Sequence, residues 1–255
     1  MNFTNKTVVL TGASSGIGYE LAKLICSEKC NIVLLSRRKE LTDKLAEELK
    51  VSGSGVLSLK CDVSVKEEVF SVFNTIKQKF GAIDIAILNS GVSFRNPVEE
   101  FSSEKAETTL GVNVLGLVYC FDALLPDFLK RKEGMIVGVS SLADGRGFPK
   151  SGLYSGSKAA ATLLLESWRI ELKKHNIKVL TVKPGFVKTP MTDKNEFKMP
   201  FLMSVEKGAR IIFTGIKKEK RIIQFPLPTV IGAKLLRIMP DKLFEIIAEN
   251  LYRLR

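Results

Sequence analysis

The stretch from Thr7 to Ile25 constrains the fold of this chain more than any other. The β-branched, apolar run Thr7-Val8-Val9-Leu10 predicts a buried strand, and Thr11-Gly12-Ala13-Ser14-Ser15-Gly16-Ile17-Gly18 predicts a sharp turn. Ile17, Leu21, Leu24 and Ile25 then recur at helical spacing. A helix that follows a strand in this way presents unpaired N–H groups and the positive end of its dipole, which suit a phosphate. Gly12 supplies the tight turn, Gly16 lets a ligand approach the main chain, and Gly18 lets the helix lie close to the strand. Three residues separate the first two glycines, where the common dinucleotide fingerprint has one.

The alternation of strand and helix continues along the chain. Strands are expected over 31–35, 56–60, 83–88, 135–139, 177–182 and 221–225. Leu41, Leu45 and Leu49 mark one helix, and Ser64 with Glu67 forms a capping box ahead of Val69, Val72, Phe73, Ile76 and Phe80. A long helix from about Ser103 to Lys130 carries Asn113, and Pro126 should kink or shorten it. Further helices are expected over 153–174 and through Val205, Ala209, Ile212, Phe213 and Ile216. Near-continuous apolar strands such as 83–88 suit a parallel sheet covered on both faces. The expected fold class is therefore α/β: a doubly wound, parallel, seven-stranded Rossmann-type sheet with helices on both faces. No linker or composition shift divides the 255 residues, so a single domain over 1–255 is expected. Gly12, Arg37, Asp62, Asn89, Ser141 and Pro184 fall at or beyond the carboxyl ends of strands, where such sheets bind ligands.

Composition narrows the function classes. The formal charge of +12 is compatible with nucleic acid, an anionic membrane or a phosphorylated cofactor, but the basic residues are scattered and form no aromatic-interleaved stripe, so nucleic acid is not expected. Cys26, Cys30, Cys61 and Cys120 lack paired metal spacing and read as buried thiols. His175 is the only histidine and sits at a helix end, so a histidine-based triad and a histidine-based metal site are both poorly supported, and no metal is expected. The first strand begins six residues after Met1, and no uncharged run is long enough to span a bilayer, so a soluble, cytoplasmic protein is the expectation.

Chemistry is carried by Tyr154 and Lys158, four residues apart and so on one face of a helix. An ammonium beside a phenol favours its ionised form and brings it nearer to acid/base work at neutral pH. Ser141, at a strand end thirteen residues before Tyr154, can hydrogen-bond a substrate oxygen. Together with the glycine loop, this set resembles the short-chain dehydrogenase/reductase family from roughly Thr7 to Thr189. The resemblance implies catalytic roles for Asn113, Ser141, Tyr154 and Lys158. Its implied cofactor contacts are Gly12, Ser14, Ser15, Gly16, Ile17 and Gly18 in the loop, Arg37 and Arg38 after the second strand, and Asp62 with Val63. Asn89, Gly91, Tyr154, Lys158, Pro184, Gly185, Val187 and Thr189 complete that set. One position departs: the family's Asn-Asn-Ala-Gly reads Leu88-Asn89-Ser90-Gly91 here, which removes one polar anchor from the sheet.

At the end of the second strand, a carboxylate would select NAD, and Ser36 stands there instead, followed by Arg37 and Arg38. A guanidinium grips a phosphate bidentately, which points to NADP(H), with Arg37 the first choice. The expected activity is interconversion of a ketone or aldehyde with an alcohol on a hydrophobic, lipid-, steroid- or long-chain-like substrate. A non-catalytic NADP-sensing protein is the alternative. Residues 190–204 correspond to the family's substrate lid, and their methionines and aromatics suit either an apolar ligand or packing on the segment itself. The resemblance implies a homodimer through the two long central helices, while the helical extension over 226–255 puts the usual tetramer in doubt. In that extension Leu243, Ile247, Leu251 and Leu254 recur at helical spacing with Phe244 and Ala248 alongside, flanked by Arg237, Lys242, Arg253 and Arg255. Docking on protein near the substrate mouth is favoured there over peripheral attachment to a membrane.

Overall fold

The computed structural model describes residues 1–50, 55–195 and 197–253. Among them, seven strands form one sheet: β1 (Thr7–Thr11), β2 (Asn31–Ser36), β3 (Val56–Lys60), β4 (Ile85–Leu88), β5 (Gly134–Val139), β6 (Ile177–Pro184) and β7 (Ile222–Phe225). Their order is β3-β2-β1-β4-β5-β6-β7, and every neighbouring pair is parallel. The connecting helices are α1 (Gly16–Cys26), α2 (Lys39–Leu49), α3 (Lys66–Phe80), α4 (Ser103–Leu110), α5 (Gly116–Arg131), α6 (Gly152–Leu172) and α7 (Val205–Lys217). The tail adds α8 (Leu227–Ile238) and α9 (Asp241–Arg253).

Because side chains alternate along a strand, the sheet separates two cores. Val8, Leu10, Ile85, Ile87, Met135, Val137, Leu180 and Val182 face α1, α2 and α7. Val9, Ala86, Leu88, Ile136 and Val179 face α3, α5 and α6. The chain reverses direction of winding between β1 and β4, so the crevice at their carboxyl ends is where a ligand of such a sheet belongs. All four cysteines are buried thiols, and burial pushes Cys30 and Cys61 up to about 12.

Four local expectations change in the folded chain. The capping box of Ser64 and Glu67 does not form: Ser64 donates to Asp62 Oδ1 through both its N–H (3.0 Å) and its hydroxyl (2.6 Å), and α3 starts after Val65. Glu68 Oε2 instead accepts the N–H of Asp62 at 2.8 Å. The long central helix is interrupted by a π turn over Gly111–Leu115, centred on Asn113, and passes through Pro126 unbroken. Pro126 and Asp122 are both exposed, so water can serve the carbonyl that proline leaves without a helical donor. By length and composition the continuous run Ser103–Arg131 could cross a membrane, although no uncharged run suggested it; half of its most apolar window is buried inside the molecule, as in a core helix. Among the described side chains of α9, Phe244 and Ala248 are buried, whereas Leu243 is exposed. Phe244 is drawn inward because it meets Phe148 edge-on at 5.6 Å and lies under the Arg146 guanidinium at 5.0 Å. The side chains of Leu251 and Arg253, and residues Leu254 and Arg255, lie outside the described residues.

Candidate active site

The glycine loop has the geometry its residues dictate. Gly12 and Gly16 take φ of +67° and +57°, and a Cβ on Gly18 would stand 2.2 Å from the Gly12 carbonyl oxygen. Asn89 Nδ2 donates to the carbonyls of Thr11 and Gly12, both at 3.2 Å, and the N–H groups of Asn89 and Ser90 donate to Thr11 Oγ1. Leu88 is buried in the α3/α5 core, so Asn89 and Thr11 tie the end of β4 to the loop. Thr189 borders the same loop, since a Cβ on Gly16 would meet its methyl at 3.1 Å.

The two arginines after β2 part company. Arg38 donates to the Ser14 and Ser15 hydroxyls at 2.8 and 3.0 Å, and its N–H bonds Ser36 Oγ. Arg37 leans away to Asp62, 3.7 Å distant, and is 53% exposed. Arg38 thus reaches the loop serines ahead of α1, while Arg37 turns toward Asp62. Both remain on the Ser36 side of the crevice, with Val63 buried behind Asp62.

Farther along the crevice, α6 carries Tyr154 and Lys158 on one face. Lys158 is 4% exposed, and its Nζ donates to the Val139 carbonyl at 3.0 Å. It lies 5.9 Å from the centre of the Tyr154 ring. Burial lowers the ammonium from 10.5 to about 8. The same burial raises the phenol of half-buried Tyr154, and a hydrogen bond from Ser141 opposes that rise. Ser141 is fixed at the end of β5, where its Oγ accepts the Ala143 N–H at 3.1 Å.

Asn113 is held by the π turn and is 3% exposed. Its Oδ1 accepts the Val92 N–H at 2.8 Å, while Nδ2 donates to the Val92 carbonyl and to Ser157 Oγ, both at 2.9 Å. Gly91 lies between the two polar groups, for a Cβ there would be 3.3 Å from Lys158 Nζ and 3.4 Å from Asn113 Oδ1. The far wall comes from Pro184 at the end of β6, from Gly185, whose N–H bonds the Phe225 carbonyl, and from Val187, which is bridged to Met203. In the lid segment Phe197 packs edge-on against Phe186, and Met203 lies against the core. Met191, Phe201 and Leu202 are exposed.

Five residues that the sequence did not single out brace this site. Lys183 Nζ pairs with Asp144 Oδ2 at 2.7 Å, and that oxygen also accepts the Thr162 hydroxyl at 2.6 Å. Thr162 Oγ1 also lies 2.7 Å from Ser140 Oγ, whose single hydrogen can go either to it or to the Lys158 carbonyl at 2.8 Å. One polar chain thus joins β6, the turn after Ser141, and α6. Arg146 bonds the Leu236 and Met239 carbonyls and the Asp241 carboxylate, fastening the junction of α8 and α9 beside that turn. A cleft of about 450 Å³ opens there between Pro97, Val98, Pro149, Phe244 and Ala248.

The loop suits a dinucleotide: its glycines leave room that any side chain would fill, and Arg38 brings positive charge to its serines. Comparison with known proteins agrees with this fit. The model of the short chain dehydrogenase family matches residues 6–199. An "uncharacterized oxidoreductase" of Myxococcus xanthus is 30% identical over 246 residues, 96% of this chain and 97% of its own length. A short-chain dehydrogenase from Sphingobium yanoikuyae in complex with NADPH superposes with a TM-score of 0.81 at 25% identity, covering 92% of this chain and 97% of that one. A short-chain dehydrogenase/reductase from Burkholderia phymatum in complex with NAD reaches 0.85 at 23% identity, covering 92% and 94%, and shares the fold. The chain belongs to the short-chain dehydrogenase family and is an oxidoreductase built to work with a nicotinamide cofactor.

Proposed function

We propose that this oxidoreductase interconverts a carbonyl compound and an alcohol with NADP(H), on a hydrophobic substrate. The observation that carries the reading is the convergence of the Ser141 hydroxyl, the Tyr154 phenol and the buried Lys158 ammonium at one end of a dinucleotide crevice. Gly12, Ser14, Ser15, Gly16, Ile17 and Gly18 would hold the pyrophosphate side, Asp62 and Val63 the adenine, and Asn89, Gly91, Pro184, Gly185, Val187 and Thr189 the nicotinamide half. The bound nicotinamide supplies the hydride chemistry. Tyr154 passes its proton to the substrate oxygen on reduction and takes it back on oxidation. Ser141 donates to the same oxygen and holds it in place. Lys158, with a pKa of about 8, carries positive charge next to the phenol, while the Ser141 hydrogen bond opposes the rise that burial imposes on it. Asn113, clamped to Val92 and Ser157, keeps the floor of the site beside Lys158 in one position.

The preference for NADP(H) is supported by Arg38 on the loop serines, Arg37 nearby and the absence of a carboxylate at Ser36. The exposed lid side chains Met191, Phe201 and Leu202 favour a hydrophobic substrate. Exposed Leu115, Leu163 and Ile170 on the long central helices favour a homodimer. No observation favours a purely cofactor-sensing role. The test is NADPH oxidation over ketones and aldehydes graded by chain length and ring count. Turnover that grows with apolar size is expected, and tight NADPH binding without turnover on any member refutes the proposal.

A further inference from the structure

Helix α8 is apolar on two sides. The inner side is used by the protein: Val230 is buried, Thr229 abuts Gly185, and the stem of Arg237 passes over Gly145. The outer side carries Leu227, Ile231, Leu235 and Ile238, which are 70, 51, 57 and 79% exposed. At helical spacing these four fall in a stripe about 80° wide. Single exposed aliphatic residues need no explanation, but a row of four along a helix already packed on its other side does. Leu243 and Ile246, both exposed, continue the apolar surface onto α9.

Charge decides what covers it. Helix α8 contains Lys234 and Arg237 and no carboxylate, Lys242 follows at the start of α9, and the whole chain carries +12. Asp241 is engaged by Arg146, while Glu245 and Glu249 line the cleft. A second copy would set the same cationic helix against itself, whereas anionic headgroups complement it. We infer that α8 lies on an anionic lipid surface, with its aliphatic stripe at the acyl boundary and its basic residues among the headgroups. This does not rest on the carbonyl-reduction reading, because lipid binding is read without turnover.

The test is co-sedimentation of the full chain with vesicles of phosphatidylglycerol and phosphatidylcholine in equal parts, against vesicles of phosphatidylcholine alone. The wild type is expected to partition to the mixed vesicles at least about ten-fold better, and added salt should release it, since each basic residue at such a surface contributes about five-fold. Ile231→Glu with Leu235→Glu should lose about ten-fold or more while keeping its thermal midpoint, because both side chains already face water. Lys234→Glu should lose about five-fold or more by charge alone. The inference is overturned if the wild type stays in the supernatant with both vesicles, or if all variants bind as it does. It is equally overturned if the wild type is a lipid-free dimer that the paired glutamates make monomeric, since the stripe would then belong to a second copy.

Discussion

The pair Asp144–Lys183 should be worth little as a pair and a great deal when broken. Their side chains are 5 and 13% exposed and 2.7 Å apart, so each is the main compensation for the other's loss of water. Removing one partner from a buried pair costs about 3–5 kcal/mol, because it strands an uncompensated charge, whereas replacing both by neutral groups is often close to neutral. Asp144→Asn keeps an acceptor for Thr162 but leaves the Lys183 ammonium unpaired; Lys183→Met leaves the carboxylate with only the Thr162 hydroxyl. At roughly 2–4 °C per kcal/mol for a chain of this size, each single variant should melt roughly 6–20 °C lower. The double variant should regain most of that. Urea unfolding of the four proteins yields the coupling energy directly, and about 2 kcal/mol or more is expected. If the single effects add within about 0.5 kcal/mol, the two groups are not compensating each other and this reasoning is wrong. Turnover offers a second reading. If the polar chain through Thr162 and Ser140 also sets the position of α6, the double variant should recover stability without fully recovering kcat.

The remaining predictions concern single groups. Tyr154→Phe should keep the melting temperature and NADPH affinity but lose about 10²- to 10⁴-fold in kcat, and a variant retaining a tenth of wild-type turnover removes Tyr154 from the acid/base role. Arg38→Ala should weaken NADPH by about ten-fold or more in fluorescence titration, with NADH little changed and Arg37→Ala milder; unmoved affinity ratios in both variants would disprove the phosphate assignment. Lys158 titrates at about 8 when folded and near 10.5 when unfolded, so below 8 both states hold the proton and the burial penalty is complete. Between those values the unfolded chain binds more protons, so stability should rise with pH, by roughly 3 kcal/mol over the whole window. Lys158→Met should flatten that rise in urea titrations at stepped pH, and parallel profiles for the two proteins count against it.

The parts of this molecule that were legible in its sequence are those whose signal is local. The loop from Gly12 to Gly18, the i,i+4 pair Tyr154 and Lys158, and the apolar strands each rely on residues within a turn or two of one another, and the folded chain has them as read. What was hidden depends on partners distant in sequence. Asp144 and Lys183 are thirty-nine residues apart, and Arg146 meets Leu236 ninety residues on, so nothing in either neighbourhood announces the contact. Competition explains the misplaced details. Ser64 donates through both its N–H and its hydroxyl to the carboxylate of Asp62 and does not cap α3. Arg38 and Arg37 are equivalent by spacing, and the loop serines distinguish them only once β1 and β2 lie side by side. In α9, Leu243 and Ile247 had the periodicity, but Phe244 had an aromatic ring and a guanidinium waiting for it.

The π turn at Gly111–Leu115 makes the long central helix two surfaces on one rod. A π turn accommodates one residue more than a regular helix would, so everything after it is rotated by roughly 100° relative to what came before. Helix α4 thereby faces α6, while α5 presents its apolar side to α3 and the sheet. Shortening the segment by a single residue would repair the helix and spoil the molecule: with α5 docked, α4 would swing away from α6, and Asn113 would leave Val92 and Ser157. The irregularity behaves as a phase shift between two registers, and chain length at this point, more than side-chain identity, is what the site cannot trade.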